Sequence, residues 1–213
     1  MDGKQYQEAV KELYRAYSFF SKRFWKLDED NTPIILVASR GRKSVYGWYW
    51  EGRWTSDEKG LKTSPEIVIA AESFDRGAEA VLETLLHEMA HHYNALAHIK
   101  DCTQTQYHNR AFKKAAEQLG LTVEKTKARG WSLTSLGDGA KAAIEDFKTK
   151  EELFKFKRID NKKVGSKESK YINILLKRED FEGILRDLSE KNKDISYGEV
   201  VKQLLNGDIA VEG

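Results

Sequence analysis

His87-Glu88-Met89-Ala90-His91 sets two imidazoles four residues apart with a carboxylate beside the first, inside the helix-like run Ala78–Ala97. On a helix, residues four apart share a face, with Cβ atoms roughly 6 Å apart. Imidazoles held that way can share one zinc ion, which takes nitrogen ligands at about 2.0–2.1 Å in a tetrahedron. Glu88 lies one step, about 100°, around the same helix, where it can lean over a metal-bound water as a general base. The chemistry in view is metal-assisted hydrolysis. The competing account is a polar helix face that carries two unrelated histidines.

A catalytic zinc site generally uses three protein ligands and keeps one position open. His98 shares the histidine face, but it lies eleven residues beyond His87, about 16 Å along a continuous helix at about 1.5 Å per residue. The long metzincin pattern avoids that distance by breaking the helix at a glycine. Here Asn94 stands at the glycine position and Ala97 where the third histidine would be. His108 is better placed, after the polar loop Ile99–Tyr107 and immediately before the helix pattern Asn109–Leu119. Glu117 and Glu124 remain as carboxylate alternatives. His92 falls on the apolar stripe and reads as a hydrogen-bonded core histidine.

These residues need a frame. Tyr6, Val10, Leu13, Tyr17, Phe20 and Phe24 recur at spacings of four and three, the stripe of an amphipathic first helix. Pro33–Ser39, Val45–Trp50 and Pro65–Ala71 read as strands, separated by Gly-containing polar stretches. A small, mostly antiparallel sheet between two helices is expected. On the motif helix, Ala78, Val81, Leu82, Leu85, Met89, His92 and Leu96 project to one side, with His87, His91 and Asn94 nearly opposite. The apolar face should pack on the sheet or the first helix and turn the histidines to a cleft. Beyond Gly139, Ala140–Lys150 is helix-like, Lys148–Lys170 is rich in lysine, and apolar residues at Phe181–Leu188 and Ile195–Leu205 suggest two amphipathic helices. The expected organisation is a domain over 1–139 and an α-rich appendage over 140–213.

The 213 residues carry a net charge of +2, with 33% charged and 40% hydrophobic residues. That near balance argues against a general polyanion binder. No apolar run approaches the ~20 residues of a membrane span, and the N-terminus lacks a signal peptide's apolar core. With Cys102 as its one cysteine, the chain can form neither an intrachain disulfide nor a multi-cysteine zinc cluster. A reducing, cytoplasmic setting is the expectation.

The motif, the polar loop containing Asp101, and the run Tyr107-His108-Asn109-Arg110-Ala111-Phe112 together resemble the SprT-like family of zinc metallopeptidases, which includes the Spartan proteases. The likeness covers roughly residues 5–137 and includes Gly130-Trp131-Ser132-Leu133-Thr134, similar to the family's Gly-aromatic-x-x-Thr run. It points to the bacterial or phage-type branch. Many members continue into a Cys-rich zinc ribbon, whereas this chain has no cysteine or histidine after Gly139.

The resemblance implies an α+β, zincin-like fold: an N-terminal helix, the sheet, the HExxH helix and a following helix. It implies one catalytic zinc on His87, His91 and His108, with Glu88 as the catalytic base. The expected activity is a peptidase on protein or peptide substrates, with DNA-associated proteins the class that Spartan kinship suggests. Zincin kinship also has Glu66–Ala71 pair with an extended substrate as an added strand would. Tyr93, Tyr107 and Arg110 are candidate oxyanion donors, and Asn94 and Asp101 could orient the ligands or serve as caps and turns. Trp48, Tyr49, Trp50 and Trp54 interleave with Arg53, a mixture that suits a packed sheet or a stacked nucleic acid. The alternative from another class is a non-catalytic, zinc-containing adaptor that binds nucleic acid or protein. No membrane partner is expected, and the oligomeric state is not readable.

Overall fold

Helix α1 (Gly3–Phe24) begins where the Asp2 carboxylate accepts a hydrogen bond from the Gln5 N–H at 2.8 Å, satisfying one of the unpaired donors of its first turn. Its stripe behaves as the spacing predicts: Leu13, Tyr17 and Phe20 are buried, Ala9 and Ala16 fill the gaps between them, and Tyr6, Val10 and Phe24 pack half-buried at the edges. The computed structural model describes residues 2–26, 32–39, 45–56, 58–60 and 62–156. The polar turn expected at Arg40–Ser44, most of the breaker segment Asp28–Pro33, and the lysine-rich and amphipathic runs beyond residue 156 lie wholly or largely outside the described residues.

Three strands follow, β1 (Ile34–Ala38), β2 (Gly47–Trp54) and β3 (Ser64–Ala70), in the spatial order β1-β3-β2. β3 turns back antiparallel to β2 and so comes to lie parallel to β1, with Ile35 opposite Ile67 and Tyr49 also opposite Ile67. The sheet is therefore mixed, with one parallel and one antiparallel pairing in place of the mostly antiparallel sheet expected. Ile35, Val37, Ile67 and Ile69 alternate onto the face that joins the core. β3 is central, and its run Ile67–Ala70 is buried throughout, as befits a strand covered on both faces.

A 3-10 turn (Ala71–Arg76) and Gly77, at φ 89°, lead into α2 (Ala78–Leu96). Val81, Leu82, Leu85, Met89 and His92 are buried as projected, but Leu86 and Ala90 are buried too and Leu96 is exposed. The buried arc is wider than the stripe suggested because α2 is flanked on a second side by α3 (Arg110–Gln118) and by a hairpin of β4 (Leu121–Thr126) and β5 (Gly130–Leu136). That hairpin is absent from the sequence-based expectation.

Helix α4 (Asp138–Phe147) and a 3-10 turn (Glu151–Phe154) close the described chain. Phe147 meets Phe19 and Phe20 at ring distances of 5.4 and 5.6 Å, and Phe154 stacks on Phe74 at 5.7 Å. The buried Glu12 binds Arg15 and accepts from the Lys150 N–H at 3.1 Å, fastening this stretch to α1. The architecture is α+β and consistent with a zincin-like fold. Among the described residues, no helix is long and apolar enough to cross a membrane.

Candidate metal centre

One turn of α2 and the entry to α3 bring three imidazoles together. His87, His91 and His108 each offer a nitrogen within 4.8 Å of the other two, and their ring centroids are 4.9 to 5.4 Å apart. Phe112, fully buried, backs all three at ring distances of 4.5 to 4.6 Å. Its position follows from the local sequence. The Asn109 side chain caps α3 by accepting from the Ala111 and Phe112 N–H groups at 2.7 and 3.4 Å, and the first turn then swings Phe112 behind the histidines.

The third histidine, His108, is held mainly through its backbone. The His108 N–H donates to the Arg129 carbonyl at 2.9 Å, and its carbonyl accepts from the Trp131 N–H at 3.1 Å. On the other side His108 bridges to Cys102, and the Asn109 N–H donates to the Asp101 carbonyl at 2.9 Å. Gly130 makes this approach possible. It sits at φ 68°, and a Cβ there would fall 2.1 Å from the His108 carbonyl oxygen and 2.8 Å from the Tyr107 ring. Gly130→Ala is therefore expected to cost about 2–4 kcal/mol, since a side chain at positive φ is strained even without the clash. Denaturant unfolding of the metal-free chain measures it, and a loss under about 1 kcal/mol would show that the hairpin can shift without penalty.

The outward hydrogen bonds fix which nitrogen of each ring faces inward. His91 Nδ1 meets the Asp101 carboxylate at 2.8 Å, and Asp101 in turn accepts from Asn94 Nδ2 at 3.0 Å. His108 Nδ1 meets the Gln106 carbonyl at 3.1 Å, and His87 Nδ1 meets the Thr134 hydroxyl at 3.2 Å. Thr134 spends its proton on Glu83 at 3.3 Å, so it accepts from His87. Every Nδ1 thus carries the proton, and every Nε2 presents a bare lone pair.

His91 Nε2 and His108 Nε2 lie 3.1 Å apart. Two acceptors cannot hydrogen-bond each other, and a bridging proton is disfavoured. Burial beside the other two imidazoles holds the His87 pKa well below the usual histidine range, and burial and His91 push His108 down to about 4. A cation answers this arrangement. Tetrahedral bonds of about 2.0–2.1 Å would put ligand nitrogens roughly 3.3 Å apart. The donor set fits a metal ion.

The same shifts set a pH dependence. A histidine whose folded pKa lies below its unfolded value leaves the unfolded chain binding more protons in between. Stability that is complete above about pH 6.5 is then lost as the pH falls toward the folded values. The thermal midpoint of the metal-free chain is expected to fall between pH 6.5 and 5, before most carboxylates titrate. A flat midpoint in chelator across that window would contradict the burial of neutral His87 and His108.

Glu88 is 5% exposed, packed where α2 passes under β2. A Cβ on Gly47 would come within 2.9 Å of its Oε1 and 2.7 Å of the Thr84 methyl, so position 47 admits only glycine without displacing the carboxylate. Asn94 and Asp101 orient His91 as described. His92 is buried against the Tyr49 hydroxyl at 3.3 Å. His98 is exposed in the turn beyond α2, and Glu117 and Glu124 are exposed on α3 and β4. Among the oxyanion candidates, Tyr93 stacks on Trp25 at 4.5 Å, Tyr107 packs on Gly130, and Arg110 is exposed. Cys102 is a free, half-buried thiol whose pKa burial raises. With His91 and Asp101 it forms a second group of metal-ligating types, but His91 cannot serve both sets while Asp101 holds its Nδ1.

The strand assigned to substrate is corrected. β3 has both edges filled, by β1 and by β2, and so has no free backbone groups for a peptide. The open edge next to α2, among the described residues, belongs to β2. The Ala70 N–H donates to the Tyr46 carbonyl at 2.8 Å, so residues 46, 48 and 50 turn their backbone groups to β3. Gly47 and Tyr49 turn theirs outward, as alternation in an antiparallel ladder requires.

Gly47, Glu83 and Thr134 are the site residues that the sequence reading missed. Glu83 carried a signal, standing one turn before His87 on the same face. Thr134 lay within a run noted only through resemblance, and Gly47 had no pattern at all. Residues 19–130, more than half of the chain, match the model of the SprT-like family. No curated protein and no solved structure matches the chain.

Proposed function

The chain belongs to the SprT-like family, and from that premise we propose that it is a zinc-dependent peptidase, with His87, His91 and His108 as ligands and Glu88 as catalytic base. The observation that carries the proposal is the convergence of three Nε2 lone pairs whose Nδ1 protons are all directed outward. Imidazoles alone would also accept copper, iron or nickel. Zinc is preferred because HExxH with a third histidine is the frame of zinc hydrolases. When bound, zinc supplies Lewis acidity, which acidifies water and polarises a carbonyl.

The chain's own residues do the rest. Glu88 takes a proton from the attacking water and returns it to the leaving amine. Its burial beneath Gly47 keeps the carboxylate in one position and limits competing solvent. The outward N–H and C=O groups of Gly47 and Tyr49 pair with an extended peptide, drawing its backbone alongside Glu88. Proteins associated with DNA are the proposed substrate class, supported by the family's Spartan members. The exposed Trp50 and Trp54 add to that support, since the Arg53 guanidinium lies 5.2 Å from the Trp50 ring and such surfaces stack on single strands.

Metal analysis and cleavage of an unstructured protein, with and without DNA, test the proposal. One zinc per chain is expected, with cleavage lost on chelation and restored by one equivalent of zinc. A chain that takes up no metal under these conditions would overturn it.

A further inference from the structure

The three ligands differ in what secures their tautomers. His91 is oriented by a carboxylate and His108 by a backbone carbonyl, and both groups can only accept. His87 is oriented by the Thr134 hydroxyl, which can either donate or accept. If Thr134 donated to Nδ1, the imidazole proton would move to Nε2, and the nitrogen facing the other two histidines could no longer bind a cation. Glu83 removes that ambiguity. It stands four residues before His87 on α2, and its Oε1 takes the Thr134 proton at 3.3 Å. Only the hydroxyl's lone pair is left for His87.

We propose that Thr134 and Glu83 are a positioning pair that holds His87 in the Nδ1–H tautomer, so that a hydroxyl from β5 and a carboxylate one turn away on α2 decide whether the ligand is competent. Neither residue belongs to the group of three that could hold the metal. Thr134 lies 47 positions beyond His87, which makes the β4–β5 hairpin part of the metal site and not a separate ornament. This inference rests on the metal-centre reading above.

Two measurements on the full chain test it. Competition with a chromophoric chelator gives zinc affinity, and long-range nitrogen–proton NMR of the metal-free, histidine-labelled protein reads the His87 tautomer at pH 7. Thr134→Val, which keeps the shape and loses the hydroxyl, is expected to bind zinc about 10–100-fold more weakly and to show His87 shifted toward Nε2–H. Glu83→Leu should do the same, and Thr134→Ser should behave as wild type in both. Unchanged affinity and tautomer in Thr134→Val overturns the pair. So does weakened affinity with the Nδ1–H tautomer intact, because loosened packing alone would give that result. If Thr134→Val does not fold, Glu83→Leu decides by the same criteria. A wild-type chain that binds no zinc overturns the metal centre itself and the inference with it.

Discussion

Glu88→Gln is expected to hold about one zinc per chain and to cleave at least about 10³-fold more slowly than wild type, within the range ascribed to general acid–base catalysis. The split follows from geometry. The three imidazoles form the donor set without Glu88, so an amide there leaves metal binding intact. Glutamine also matches glutamate in shape, which matters for a side chain wedged against Gly47 and almost fully buried. What disappears is the ability to accept a proton. Steady-state cleavage beside metal analysis of the same preparation checks both halves. Full activity in this variant would remove Glu88 from the chemistry. Zinc-loaded wild type that is inert on every substrate tried would instead favour a binding role.

His108→Ala is expected to lose most of its zinc, with affinity falling about 10²–10³-fold. Structural zinc sites bind with roughly 10–16 kcal/mol shared over four ligands, about 2.5–4 kcal/mol for each. The alanine leaves two histidines on one helix turn, and it also empties space against Phe112. His98→Ala is the control: exposed beyond the end of α2, it should change nothing. Chelator competition on both variants gives the comparison. An affinity unaltered in His108→Ala would show that the third ligand lies elsewhere.

How much of this could be read from residues alone depended on the range of the interaction. The stripe of α1 and the extent of α2 are periodic and local, and they were legible to within a few residues. So was the shared face of His87 and His91, because four residues make one helical turn whatever the rest of the chain does. The parallel pairing of β1 with β3 has no local signature, since it depends on where β2 lies. The β4–β5 hairpin escaped because only Leu121 and Val123 alternate into the core before Lys125 breaks the pattern. Position 108 was open by spacing and assigned only by family likeness; the structure brings its imidazole to the other two through a backbone clasped by Cys102 on one side and Gly130 on the other. Thr134 and Gly47 act through contacts with distant helices, and a polar contact of that kind leaves no period to count.

That clasp has a consequence for synthesis of the chain. Once residue 112 has emerged from a ribosome, every proposed ligand and the phenylalanine behind them have been made. The backbone bonds that seat His108 must still wait for Arg129 and Trp131, and the hydroxyl that orients His87 arrives only with Thr134. Metal would therefore load after the hairpin has docked and would not nucleate the unit. A nascent or truncated chain ending near residue 120 would carry the whole proposed ligand set and yet bind zinc poorly.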